Sequence, residues 1–427
     1  MKKAVHRINS PYDEYTPLHF AADRGAYDIM KCLLQSGADL LCKTENGKTP
    51  LYLALRYRRS SGILGILHDF LQVQKSPVEI KDHSFFHLVC VAGDLELIKH
   101  YLANGADPNC PSKRIADTMD NWTPLHMIAE NCFSPAHEVA KLLIDYGANP
   151  NARDTQMNTP LHNIFQGSDL KVVDVLVNHG ADVDALNANF ETPLIVTCYR
   201  GDGMFDEGEC CIVMKSLLKN GADINLADGA GKTPLTLNTW ASFDGHHRDD
   251  DDDDEFDLRD YYNEEISLLL KHVIKLKMIG FYVSEINQQA YSSLLTKHSS
   301  RLNFNEANFK NQCIEELESI KKVGIDRYTT LHDMLFKDPN ELAFSTRNDA
   351  LQRIMESNDL ENQFPIYGFM FPLQWRKGTL RRLLLEESLL ALNSTVGKKL
   401  PSNCKEKMLQ SLNNNDLKCI ITCAKAR

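Results

Sequence analysis

The tetrapeptide TPLH stands at residues 16–19, 123–126 and 159–162, and weaker copies lie between and beyond these: TPLY from Thr49, SFFH from Ser84, TPLI from Thr192 and TPLT from Thr233. Successive starts are 33, 35, 39, 36, 33 and 41 residues apart. A second signal keeps step, GAD at Gly37, Gly105, Gly180 and Gly221 and GAN at Gly147. A period in this range constrains a chain more than its length does. Each unit is one supersecondary element that cannot bury its apolar face without a neighbour. Such a sequence must fold as a stack.

The chemistry of one unit shows how. Thr16 suits the N-cap of a first helix and Pro17 its first turn, where no amide partner is lost. Leu18 points inward, and His19 can hydrogen-bond across the turn to lock it. In LLQSGAD the Leu33–Leu34 pair packs inward, and Gly37 supplies the left-handed residue that ends a second helix. Asp39 and the polar residues after it then turn the chain into the next unit.

This register resembles the ankyrin repeat over about residues 11–240. The resemblance implies an all-α fold, an ankyrin-repeat solenoid of about seven repeats whose finger tips and first helices form an extended concave surface. It also implies a surface that binds a target protein and catalyses nothing. The finger positions expected to meet that target are Tyr15, Glu45, Asn46, Asn121, Trp122, Asn189 and Phe190. Trp122 and Phe190 stand out, because aromatic anchors dominate interface energetics.

Periods longer than 33 mark insertions at residues 110–122, 131–137 and 200–209. The seventh unit carries an acidic excursion over 244–260 and then EEISLLLKHVIKLK, whose apolar positions run past the usual stop, as a terminal cap requires. GHHRDDDDDDEFD offers histidines beside carboxylates, but a uniform aspartate run has no turn residue to shape a cation cage. A solvated loop is the expectation. The twelve cysteines show no zinc spacing and read as buried, reduced thiols. With no Walker loop, GxSxG, HExxH or paired-glycine fingerprint, no catalytic, metal or cofactor site and no small-molecule substrate are expected.

Charge divides the chain. The net value is −11, yet the stretch 361–427 holds eleven Lys/Arg against five Asp/Glu. An acidic body argues against nucleic acid as a partner. No apolar run is long enough to span a bilayer, and the first residues lack the apolar core of a secretory signal, so a cytoplasmic or nuclear location is expected.

From residue 282 onward the pattern is helical. Phe309, Cys313, Leu317 and Ile320 are spaced as one buried stripe. FPIYG at 364–368, RRLLLE at 381–386 and LP…ML..L…DL at 400–417 follow. This order resembles the PRANC region attached to ankyrin arrays in poxviruses and found also in parasitoid wasps. The resemblance implies four segments: repeats over 11–243, an acidic disordered insertion over 244–260, a capping helix and helical linker over 261–327, and the PRANC-like domain over 328–427. It also implies that the tail is an abbreviated F-box, which docks on the adaptor of a cullin–RING ubiquitin ligase. Leu400, Pro401, Met408, Leu409, Leu412, Leu417, Ile420 and Ile421 would form that edge. Ser402, Asn403 and Cys404 depart from the acidic residue and isoleucine usual after the LP pair. A substrate receptor for ubiquitination is the first expectation. The others are sequestration of a target, as NF-kappaB inhibitors do, with a purely structural C-terminal domain, and an enzyme with an unrecognised site within 282–399.

Overall fold

The computed structural model describes residues 15–39, 42, 44, 49, 50, 53, 83–112, 121–130, 135–164, 169–199, 209–237, 258–297, 304–325, 329–356, 359–395 and 402–425. Glu45, Asn46, Leu400, Pro401, most of the second repeat and nearly all of the acidic excursion lie outside them. The chain divides into two units, Met1–Leu268 and Leu269–Arg427.

The first unit is an ankyrin-repeat solenoid. Its described helices pair as α1 (Pro17–Asp23) with α2 (Tyr27–Gln35), α3 (His83–Ala92) with α4 (Leu95–Ala103), and α5 (Pro124–Glu130) with α6 (Ala136–Asp145). A single 3-10 turn, Pro160–Asn163, takes the place of the next first helix and precedes α7 (Lys171–Asn178). Then come α8 (Pro193–Tyr199) and α9 (Glu209–Lys219). The leucine of each described TPL triplet is the inward residue expected of it. Leu18, Leu125, Leu161, Leu194 and Leu235 are all at most 1% exposed.

The second helix of each complete unit ends on its glycine. Gly37, Gly105, Gly147, Gly180 and Gly221 hold φ between 90° and 94°. The alanine after each glycine donates its N–H back to the carbonyl five residues earlier, as Ala181 does to Leu176 at 2.9 Å. That bond occupies a carbonyl the helix end would otherwise leave open.

The second unit is also helical, and no strand occurs among the described residues of either. The boundary falls inside α10 (Leu258–Met278), which is followed by α11 (Glu285–Lys297) and α12 (Glu306–Lys321). Short helices α13 (Asp333–Phe336), α14 (Pro339–Ser345), α15 (Asp349–Glu356) and α16 (Leu360–Gln363) lead to the long α17 (Met370–Thr395). The chain closes with α18 (Ser402–Gln410) and α19 (Asn414–Lys425). Cys313, Leu317 and Ile320 on α12 are buried as the stripe predicts.

The stretch read as a linker packs into this unit. Glu316 of α12 accepts the N–H groups of Ile366 (2.9 Å) and Tyr367 (2.7 Å), capping the FPIYG turn. Burial raises the Glu316 carboxyl, against the pull of those two hydrogen bonds. Lys275 lies 5.1 Å over the ring of Phe369. Two glycines then allow backbone to meet backbone. A Cβ on Gly368 would stand 2.2 Å from the carbonyl oxygen of Leu360, and one on Gly378 would stand 2.8 Å from that of Leu342 in α14.

Candidate protein-binding surface

Three described fingers are each built on one polar side chain five residues before the TPL threonine. Asp154 accepts the N–H groups of Gln156 and Asn158, both at 2.8 Å. Asn187 does the same for Asn189 and Glu191, and Asp228 for Ala230 and Lys232. Burial pushes the Asp228 carboxyl up, but the hydroxyl of Tyr199 and these amides outweigh it and hold it below the usual carboxylate range. Neighbouring fingers are joined through the backbone, Ala188 donating to the carbonyl of Gln156 at 2.9 Å and Gly229 to that of Asn189 at 3.3 Å.

The TPLH histidines staple one unit to the next. Thr16, Thr123 and Thr159 donate their N–H groups to Nδ1 of His19, His126 and His162 at 3.1, 3.1 and 3.0 Å. An amide can only donate, so Nδ1 accepts and the ring proton sits on Nε2. From there His126 donates to the carbonyl of Asn158 (3.1 Å) and His162 to that of Glu191 (3.0 Å). His87 lies 2.9 Å from the carbonyl of Trp122 in the same way. Burial pulls His126 down and His162 to about 4, so both rings stay neutral. These histidines are structural.

The tip of each described finger, two residues before the TPL threonine, is left-handed: Asn121 (φ 67°), Met157 (61°), Phe190 (62°) and Gly231 (78°). Met157 is 48% and Phe190 62% exposed. Asn189 is exposed beside Phe190, and the exposed Asn121 donates its amide to the carbonyl of Arg153 at 3.1 Å. Tyr15 is half-buried against its own helix, its ring 5.4 Å from His19 and 5.5 Å from Phe20. Trp122 corrects the expectation made for it. It is 8% exposed, its indole N–H donates to Asp154 at 3.2 Å, and its ring stacks on His126. The insertion before it supplies Ser112, whose hydroxyl accepts the Trp122 amide at 3.0 Å and draws the ring inward. Met157 was missed; register alone, counting back two from Thr159, would have found it.

The C-terminal residues expected to form a docking edge are mostly turned the other way. Leu409 (1% exposed), Leu417 (0%) and Ile421 (8%) form a core with Leu384 of α17, and Leu412 and Ile420 are half-buried against it. Met408 alone among the described members of that set is exposed, at 42%. A helical pair seeks cover for its apolar face, and α17 provides it. One buried cation buckles the pair down. Arg381 donates to the Oδ1 of Asn340 (2.8 Å) and of Asn414 (3.1 Å) and to the carbonyls of Gln410 (3.1 Å) and Leu412 (2.6 Å).

Among the described residues no group of three or more His, Cys, Asp or Glu side chains could hold a metal. Cys90 and Cys110 are buried thiols, the latter pushed up to about 12 by burial, whereas Cys419 and Cys423 are exposed, contrary to expectation. No described helix is long and apolar enough to cross a membrane.

A family model for ankyrin repeats (three copies) matches residues 2–75 and 86–187. An ankyrin repeat protein of fowlpox virus is 25% identical over 339 residues, covering 76% of this chain and 87% of that protein. So long an alignment cannot fit within 11–243 and runs on into the second unit. The mouse B-cell lymphoma 3 protein homolog is 28% identical over 185 residues, 42% of this chain and 39% of its own length. The ankyrin repeat protein B18 of vaccinia virus is 25% identical over 218 residues, 44% of this chain and 36% of its own. The chain thus carries ankyrin repeats and is similar to ankyrin-repeat proteins of poxviruses, and ankyrin repeats bind protein partners.

Proposed function

We propose that the protein is a non-catalytic receptor: the fingertip row holds a target protein, and the second unit brings that target to the adaptor of a cullin–RING ubiquitin ligase. The observation that carries the target site is the backbone of Met157 and Phe190. A left-handed conformation costs a non-glycine residue about 1–2 kcal/mol, and glycine, as at Gly231, would remove that cost. Instead two apolar side chains are held out into solvent on fingers whose turns are fully hydrogen-bonded. Strain kept at an exposed tip is a mark of a functional position. Rigid apolar anchors ringed by polar neighbours such as Asn121 and Asn189 are what a protein interface uses.

Support for ligase recruitment is the FPIYG, RRLLLE and LP…ML order together with the fowlpox likeness beyond the repeats. Burial of Leu409, Leu417 and Ile421 narrows the contact to Met408, with Leu412 and Ile420 at its margin and the Leu400–Pro401 pair before it. The same burial favours a second reading, sequestration of the target with a C-terminal unit that only completes the fold.

Affinity purification with mass spectrometry separates these. Met157→Gly combined with Phe190→Gly should lose the target and keep ligase subunits, while Met408→Asp should do the reverse. A target retained by the fingertip pair removes the proposed site. Wild-type chain that captures its target without ligase subunits leaves sequestration.

A further inference from the structure

Helix α17 is apolar on two sides, and among the described residues its neighbours cover only one. Phe371 and Leu384 are buried on the inner side, with Leu385, Leu389 and Leu392 packed around the C-terminal core. On the outer side Leu380, Leu383 and Leu390 are 44%, 50% and 69% exposed. They belong to a longer series, Leu373, Arg376, Leu380, Leu383, Glu387 and Leu390, whose steps alternate between three and four. That is the spacing of a helical seam that meets another helix along its length. Leu373 and Arg376 are partly exposed and Glu387 is exposed.

The series is complementary to its own reversal. Two copies laid antiparallel, with a twofold axis between residues 381 and 382, set Leu373 against Leu390, Arg376 against Glu387 and Leu380 against Leu383, each contact occurring twice. A parallel pair would instead set Arg376 against Arg376 and Glu387 against Glu387, like charges in a seam. Any amphipathic helix could cover the leucines. Only a second copy answers the placing of one cation and one anion at positions the reversal exchanges. We infer that the outer face of α17 is a self-association surface, on which two copies of this chain pair antiparallel about a twofold axis. The contact is isologous and therefore closes at two.

The seam is roughly 26 Å long, from its residue span and the rise of a helix. Arg376 already has an interaction within its own chain, so its charge is shared with the partner. Pairing would join two fingertip rows in one particle, raising avidity for any target with two binding sites. It does not depend on what the array binds or on ligase recruitment.

Sedimentation velocity on the full chain tests this, over micromolar to submillimolar concentration. The wild type should shift from monomer to dimer as concentration rises. Glu387→Arg leaves arginine at both charged seam positions, and Arg376→Glu leaves glutamate at both, so each alone should stay monomeric. An equimolar mixture of the two should dimerise again, because each seam then meets its complement. Leu383→Glu, at a half-exposed position, should abolish pairing without touching Arg376, with an unchanged melt showing that the fold is intact. A wild type that stays monomeric throughout, single variants that pair as well as wild type, or a mixture that fails to associate would each overturn the proposal.

Discussion

The two units both depend on glycine, for opposite reasons. In the array Gly180 has φ 91°, and a Cβ there would meet nothing within 4 Å; backbone conformation alone excludes other residues. In the second unit Gly368 and Gly378 lie outside the left-handed region, and a Cβ would strike backbone at 2.2 and 2.8 Å. There it is space that excludes them. The difference extends to the polar groups. The array solves its capping within one unit, Thr123 with His126 and again Thr159 with His162, staples each unit to the next, and repeats the answer. The second unit solves each problem once and at long range, Arg381 reaching Asn340 and Asn414 across the fold. A repeat should therefore fail gradually and the helical unit all at once.

The sharpest way to break that contrast is Gly368→Ala. With nowhere for Leu360 to move, it should cost more than about 4 kcal/mol and unfold the second unit while the array keeps its own transition in calorimetry. Loss of both transitions together would mean that the units do not fail separately. Arg381→Met should cost about 3–5 kcal/mol, because the carbonyls of Gln410 and Leu412 and the side chains of Asn340 and Asn414 lose their charged donor. Hydrogen exchange should then show α18 and α19 opening while α14 stays protected.

Acid should act on the array. His162 is neutral in the fold and held near 4 by burial, while the unfolded chain titrates near 6.5. Above about 6.5 both states are neutral and the stability contribution is whole. As pH falls the unfolded state takes its proton first, so stability drops, by roughly 3 kcal/mol in all once pH is below about 4. Denaturant melts across that window should show the fall, and His162→Gln should flatten it.

Gly180→Val should cost about 1–3 kcal/mol, and Gly180→Ala less, because the strain is conformational and not steric. Thermal melts in which alanine costs as much as valine would put Gly180 in the same class as Gly368. The smallest effect has the opposite sign. Phe190→Gly should relieve the left-handed strain and raise the melting point, by up to about 1 kcal/mol of stability, while weakening target capture.

The same contrast explains what was legible beforehand. The repeat could be read because its parts are local: cap, proline, inward leucine, histidine and left-handed glycine all lie within one period. Trp122 was misread because its burial is decided by Ser112 and Asp154, one in an insertion and the other in the next unit. Met157 went unseen because nothing about methionine signals a tip; only its register does. At the C-terminus the spacing of Leu409, Leu412 and Leu417 announced an apolar face correctly. It could not say that α17 already covers that face, since Gly368, Gly378 and Arg381 act through contacts that leave no period in the sequence.

The histidine staples have a direction, and it bears on how such an array can grow or shrink by duplication. The donor is a side chain that a unit must possess; the acceptor is a backbone carbonyl that every unit has. A unit carrying the histidine can thus be copied ahead of any other and still find its acceptor. The unit with Ile195 at that position has no such donor and leans instead on the Tyr199 hydroxyl reaching Asp228, which requires a particular side chain in its successor and not merely a backbone. Gene rearrangements should accordingly be tolerated after the units of His126 and His162, and resisted at the junction between Tyr199 and Asp228.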